Sequence, residues 1–281
     1  MLGRGKRLTG KSDQQLGAMR VAGLVVARTL ELVRESLEPG RTTGELDAIA
    51  EGSIRGAGAV PSFKGYHGFP GSLCVSVNDE VVHGIPGERR LAAGDLVSVD
   101  CGAIVDGWHG DAARSWVVPG APADEATDAL VEDTRLSMWH GIAALRTGGR
   151  LFAIGDAIQE LLEEREARRG LTYGIVEEYG GHGIGREMHM EPWIPNYAAR
   201  GSGGTVPKGL TVAIEPMVTL GSPDNRTLAD DWTVVTQDGS RACHWENTVA
   251  VTEGGLWVLT ELDGGAAGLA EVGATFAPLG D

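Results

Sequence analysis

The sequence predicts an α+β domain in which each half runs helices first and strands second. Two observations carry this. Apolar residues recur at helical spacing up to Gly56 and again between Ala123 and Arg168. After each helical stretch the pattern changes to short β-rich runs broken by glycine and proline. That order fits an antiparallel sheet with segregated helices better than alternating βαβ units. No sequence repeat accompanies it.

The first helix opens at Ser12, which with Gln15 makes a capping-box pattern, and Leu16, Met19, Ala22, Val26 and Leu30 supply its apolar face. Pro39-Gly40 stops it. A second helix starts at Thr42 or Thr43, with Glu45 at the box position, and ends near Gly56. Strands are expected over Leu73 to Val77, Leu96 to Val105 and Trp108 to Val118. Helices follow over Ala123 to Leu145 and Leu151 to Arg168, and strands again from Thr172 to Leu259. The expected division is a basic, solvated arm over 1–11, one folded domain over 12–262, and a loosely ordered Gly/Ala-rich tail over 263–281.

The 281 residues leave ample material for a core, and 42% apolar with 22% charged content is ordinary for a soluble globular protein. A formal charge of −15 argues against nucleic-acid binding, which leaves a basic footprint. Three cysteines without paired spacing (Cys74, Cys101, Cys243) do not make a disulfide framework. No apolar run reaches transmembrane length, and no secretory h-region follows the basic N-terminus, so membrane association is not expected and the cytoplasm is the expected location.

Against that background five residues stand out. Asp100 interrupts Leu96-Val97-Ser98-Val99, Glu215 interrupts Val212-Ala213-Ile214, and Glu246 precedes Thr248-Val249-Ala250-Val251. Asp111 lies in a second β-rich run, and His182 sits within Gly180-Gly181-His182-Gly183. Carboxylates in apolar strands cost free energy unless something positive meets them, and no Lys or Arg lies in the runs that Asp100, Glu215 and Glu246 interrupt. A divalent cation answers the need. Four carboxylates and one imidazole suit Mn, Fe, Co or Zn.

Asp106-Gly107 is a two-residue hairpin turn. It pairs Val105 with Trp108, Gly102 with Asp111 and Asp100 with Ala113. The two aspartates then project from one face as diagonal neighbours, with Cα atoms roughly 7–8 Å apart. A one-residue bulge would break this register. Among the seven histidines, His140 lies in a helix beside Trp139 and reads as packing or surface. His67 is ambiguous, and His109 shares the face of Asp111 and could support a ligand. His83 and His189 occupy turn-like breaks, and spacing alone leaves both open between structural and chemical roles.

Some motifs mislead. Gly5 to Ser12 matches the P-loop pattern, but only four residues precede it, too few for the strand that would hold a phosphate cradle. Neither H-E-x-x-H nor G-x-S-x-G is present, and Cys74 reads as a small buried hydrophobe rather than a nucleophile.

Taken in order, several segments resemble the methionine aminopeptidases of type I, metalloenzymes of the pita-bread fold. They are Tyr66-His67-Gly68-Phe69-Pro70, Val77 to Pro86, Asp100 to Asp111, Glu178 to Arg186, Ile214-Glu215-Pro216-Met217 and Glu246-Asn247-Thr248. The resemblance runs from about Ser12 to Leu259. It implies pseudo-symmetric halves with a central antiparallel sheet covered by helices, and makes 12–262 the catalytic domain. It further implies two divalent ions (Co, Mn, Fe or Zn), Asp100 on one, His182 and Glu215 on the other, and Asp111 and Glu246 bridging. Glu215 would also shuttle a proton, and His83 and His189 would contact substrate. The methionine pocket would be lined by Tyr66, Phe69, Cys74 and Trp232, with Met188 where bacterial relatives often carry an aromatic residue. The implied activity is removal of initiator methionine, preferably before a small second residue, from peptides and nascent chains, those at the ribosome included, by a monomer.

Two rival readings fit the sequence less well. An Xaa-Pro aminopeptidase or dipeptidase shares the fold but carries a sizeable extra N-terminal domain, for which the residues before Asp100 leave no room. A metal-free partner-binding relative would have lost ligands, whereas all five positions hold competent side chains.

Overall fold

The computed structural model describes residues 8–279; the arm residues 1–7, with the first three residues of the P-loop-like stretch, lie outside them, as do 280–281. In the first half, helices α1 (Asp13–Glu35) and α2 (Thr43–Gly56) precede strands β1 (Val60–Pro61), β2 (Leu73–Val77), β3 (Glu80–Val82), β4 (Leu96–Val105) and β5 (Trp108–Val117). In the second half, α3 (Glu125–Ala144) and α4 (Ala153–Arg169) precede β6 (Gly174–Ile175), β7 (Gly181–Gly183), β8 (Met190–Ile194) and β9 (Thr211–Ile214). Strands β10 (Met217–Thr219), β11 (Asn225–Thr227), β12 (Val234–Thr236), β13 (Ala242–His244), β14 (Asn247–Val251) and β15 (Leu256–Val258) follow, and a short α5 (Ala266–Glu271) closes the chain.

Both capping boxes form. Ser12 Oγ accepts from the Gln15 N–H while Gln15 returns to the Ser12 N–H, and Thr42 with Glu45 does the same. Helix α1 ends at Glu35, ahead of Pro39, because the chain turns at Ser36. The strands form four antiparallel sheets, ordered β1-β4-β2 with β5 beside β4, β13-β10-β6, β11-β12-β3 and β15-β14-β9-β7-β8. Each pair of long helices covers one half. Leu30, Val33, Leu46 and Ile54 of α1 and α2 pack on Val75, Val97 and Val99. Met138, Ile142, Ile154 and Ile158 of α3 and α4 pack on Val212, Ile214 and Val249.

The hairpin register is unbulged. Val105 faces Trp108, Gly102 faces Asp111 and Asp100 faces Ala113, with Asp106 at φ 49° and Gly107 at φ 76° in the turn. The seam between halves runs along β5. Ala113 and Glu246 exchange both backbone hydrogen bonds, at 3.3 and 3.0 Å, and Thr248 Oγ1 accepts from the Asp111 N–H and donates to the Asp111 carbonyl.

Two expectations need correction. The tail is not loose: Leu269 of α5 is fully buried, the Leu256 N–H donates to the Thr275 carbonyl, and Thr252 Oγ1 donates to the Ala277 carbonyl. Composition hid this because one leucine and backbone bonding, not a run of large apolar residues, anchor the segment. The described end of the arm is only partly solvated: Thr9 and Gly10 are exposed, but Leu8 and Lys11 are half-buried. Leu8 packs on the second core, and the Lys11 N–H donates to the Gly209 carbonyl. Lys11 Nζ donates to Thr211 Oγ1 at 2.5 Å, and burial lowers its pKa to about 8.

Candidate metal centre

The five predicted ligands come from four places that only folding joins. Asp100 and Asp111 stand on the β4–β5 hairpin, His182 on β7, Glu215 just after β9 and Glu246 just before β14. Strand β7 is squeezed between β8 and β9, and glycines on both sides of His182 make this possible. A Cβ at Gly181 would lie 2.4 Å from the Ala213 carbonyl oxygen, and one at Gly183 2.2 Å from that of Glu191. All five line one cavity of about 330 Å³, together with His83, His189, Tyr66, Phe69, Cys74 and Trp232.

Within it the donor atoms form two overlapping groups, Asp111–His182–Glu246 and Glu215–His244–Glu246, whose members each approach within 4.8 Å of one another. Glu246 belongs to both. Asp100 lines the same cavity but falls outside either group, held by its pairing with Ala113 and, across β2, with Cys74. His182 Nδ1 lies 3.0 Å from the Gly183 carbonyl, so that nitrogen carries the proton and Nε2 is free to ligate. His182 Nε2 faces Glu215 Oε1 at 3.5 Å.

The electrostatics of the cavity favours positive charge. Burial raises the Asp100 pKa to about 7 and that of Glu215 to about 8. Burial, and then the neighbouring carboxylates, raise Asp111 and Glu246 well above the usual range. Burial also lowers His83, His182 and His244 to about 4, so their imidazoles are neutral. Asp100 Oδ1, Asp111 Oδ1 and Glu246 Oε1 are buried without a hydrogen-bond partner among the described residues. Buried Arg114 lies one strand position beyond Ala113, but its guanidinium binds Glu261, Asn247 and the Glu246 carbonyl, leaving the carboxylates unpaired. Unpaired buried oxygens beside a neutral imidazole are the donor set a divalent cation completes.

One wall of the cavity is apolar. Phe63, Phe69, Cys74 and Met188 are buried together, with Tyr66, Ile85 and Trp232 packed against them. His189 borders this wall: its Nδ1 is 3.0 Å from the Tyr66 hydroxyl, and its ring lies 4.4 Å from that of His182. His83 sits at φ 60° with its ring edge-on to Tyr179 and Trp232. His109 does not line the cavity; its Nδ1 lies 3.2 Å from Ser62 Oγ. His67 stacks edge-on against Tyr66, and His140 lies half-buried on α3. Sequence reasoning missed His244. Its signal was present, since it precedes Glu246 by two residues and period two puts both on one face.

Residues 17–253 match the model of metallopeptidase family M24. The chain is 53% identical to methionine aminopeptidase 1 of Mycobacterium tuberculosis over 259 residues, 92% of this chain and 97% of that one. It superposes with a TM-score of 0.85 on the methionine aminopeptidase of Thermotoga maritima, at 39% identity, over 90% of this chain and 99% of that one. The Pyrococcus furiosus prolidase is more distant, with a TM-score of 0.68, 21% identity and coverage of 89% of this chain and 65% of that one, a likeness of fold alone. The chain belongs to the M24 metallopeptidases and, within them, to the type I methionine aminopeptidases.

Proposed function

We propose that the cavity is the active site for removing N-terminal methionine from peptides and nascent proteins, preferably when the second residue is small. One observation carries this reading: orphaned buried carboxylate oxygens stand at the end of an apolar pocket. The pocket walls, Phe69, Cys74, Met188 and Trp232 among them, suit an unbranched thioether.

Asp100, Asp111, His182, Glu215 and Glu246 would hold two divalent ions (Co, Mn, Fe or Zn), with Glu246 shared, as its membership of both donor groups supports. Such ions supply Lewis acidity to the scissile carbonyl and a strong nucleophile from water at neutral pH. The chain does the rest. Glu215, in the lining of the cavity, would take a proton from the attacking water and pass it to the leaving nitrogen. The Tyr66 hydroxyl holds His189 Nδ1 and leaves Nε2 for the substrate. His83 lines the same cavity, and both histidines are assigned to substrate contact and stabilisation of developing charge.

Nascent chains, including those at the ribosome, are the substrate this reaction implies, because initiator methionine stands at their N-termini. The cytoplasm is its place for the same reason, and a monomer suffices because one chain supplies the whole cavity. No described helix is long and apolar enough to cross a membrane. The Mn- or Co-loaded protein should release methionine from Met-Ala-Ser and leave Ala-Pro peptides intact; the reverse preference would sink this reading in favour of an Xaa-Pro peptidase.

A further inference from the structure

His244 is a buried imidazole that the site's five ligands do not account for. It is 3% exposed, and its Nε2 has no hydrogen-bond partner among the described residues. Its backbone is pinned. The N–H donates to Ser115 Oγ, the carbonyl accepts from the same hydroxyl at 2.7 Å, and His244 pairs with Met217, two residues beyond Glu215. This aims the ring at Glu215. The two oxygens of that carboxylate face different histidines: Oε1 lies 3.5 Å from His182 Nε2, and Oε2 lies 3.7 Å from His244 Nε2.

We propose that His244 is a positioning residue of the metal centre, whose Nε2–H donates to Glu215 Oε2 so that Glu215 presents Oε1 alone to the ion beside His182. The inference rests on the two-ion reading above. Oε1 shares its surroundings with His182, which already groups with Asp111 and Glu246. Oε2 faces His244 instead, and a ligating carboxylate free to rotate would alternate between one and two bonds to the ion. A neutral N–H donor on Oε2 removes that freedom without adding charge, as outer partners of metal ligands do. It also gives the orphaned Nε2 a partner after a shift of a few tenths of an ångström.

The test is binding of Mn and of Co to metal-free protein by calorimetry, for wild type, His244→Leu, His244→Gln and His182→Ala. His244→Leu should weaken binding by about 10–100-fold, and His244→Gln, which keeps a donor at similar reach, by no more than about 3-fold. Matched melting of the metal-free variants excludes unfolding as the cause. Wild-type affinity in His244→Leu, or equal weakening by both His244 variants, overturns the proposal. A spectroscopic measurement reads the rings directly: the Co-loaded wild type should show one strongly hyperfine-shifted imidazole N–H, that of His182. A second, lost in His244→Gln, would make His244 a ligand and overturn the positioning role. Should the wild type bind neither ion, the two-ion reading itself fails; should His182→Ala weaken binding while His244→Leu does not, only the role of His244 fails.

Discussion

Ala113 and Glu246 exchange a reciprocal pair of backbone hydrogen bonds, at 3.3 and 3.0 Å, across the seam between the two halves. Ala113 is also the cross-strand partner of Asp100. One alanine therefore fixes how far the Glu246 carboxylate stands from the hairpin aspartates. Four carboxylates are held at close quarters by main-chain bonding, which does not relax when the charges repel.

The burial of these charges should appear in the pH dependence of the metal-free protein. Asp100 and Glu215 have folded pKa values of about 7 and about 8 against roughly 4 when unfolded, so near neutrality the folded state binds more protons and stability falls with rising pH. The depressed histidines, at about 4 against roughly 6.5 unfolded, act oppositely, but only below about pH 6.5. Between about pH 6.5 and 8 the carboxylates act unopposed. Melting of metal-free protein should drop by several degrees across that window, at roughly 2–4 °C per kcal/mol. Added Mn should restore more stability at pH 8 than at pH 6.5; a flat profile would contradict the assigned burial of charge.

Asp111→Asn removes one buried carboxylate while nearly keeping its shape. Metal-free variant should melt higher than metal-free wild type, because the buried Asp111 charge and its repulsion of Asp100 and Glu215 are removed. Its affinity for Mn should fall by more than about 100-fold, beyond what loss of an outer partner costs. Melting curves with and without chelator measure both effects.

Tyr66→Phe deletes the hydroxyl that holds His189 Nδ1. A net hydrogen bond contributes about 0.5–1.5 kcal/mol, so kcat/KM on Met-Ala-Ser should fall by about 2–10-fold. Metal content should be unchanged. Loss of bound metal in this variant would show that His189 acts through the centre rather than on the substrate.

Cys74→Leu enlarges a buried wall of the apolar pocket. Overpacking typically costs about 1–3 kcal/mol, and here it falls on the space for the methionine side chain. KM for Met-Ala-Ser should rise about 10-fold or more, with Mn affinity held. An unchanged KM would place the methionine pocket elsewhere.

Much of this was legible in the chain because local rules decide local structure. Ser12 with Gln15 and Thr42 with Glu45 announced two helices, and Asp106-Gly107 set a register that placed Asp100 and Asp111 on one face. The tail and arm were misjudged for a common reason: Leu269 and Lys11 gain their burial from residues distant in sequence, which composition cannot report.

By itself the sequence determined the helices, the hairpin and the presence of carboxylates that apolar strands could not tolerate unpaired. Only the tertiary structure decided which of them meet. The Ala113–Glu246 seam brings the second half onto the hairpin, glycines beside His182 admit β7 between its neighbours, and the pairing of β10 with β13 turns His244 toward Glu215. The physical reason is range: turn and cap preferences act over a few residues, whereas a metal centre needs donor atoms within a few ångströms, and only long-range strand pairing brings them there.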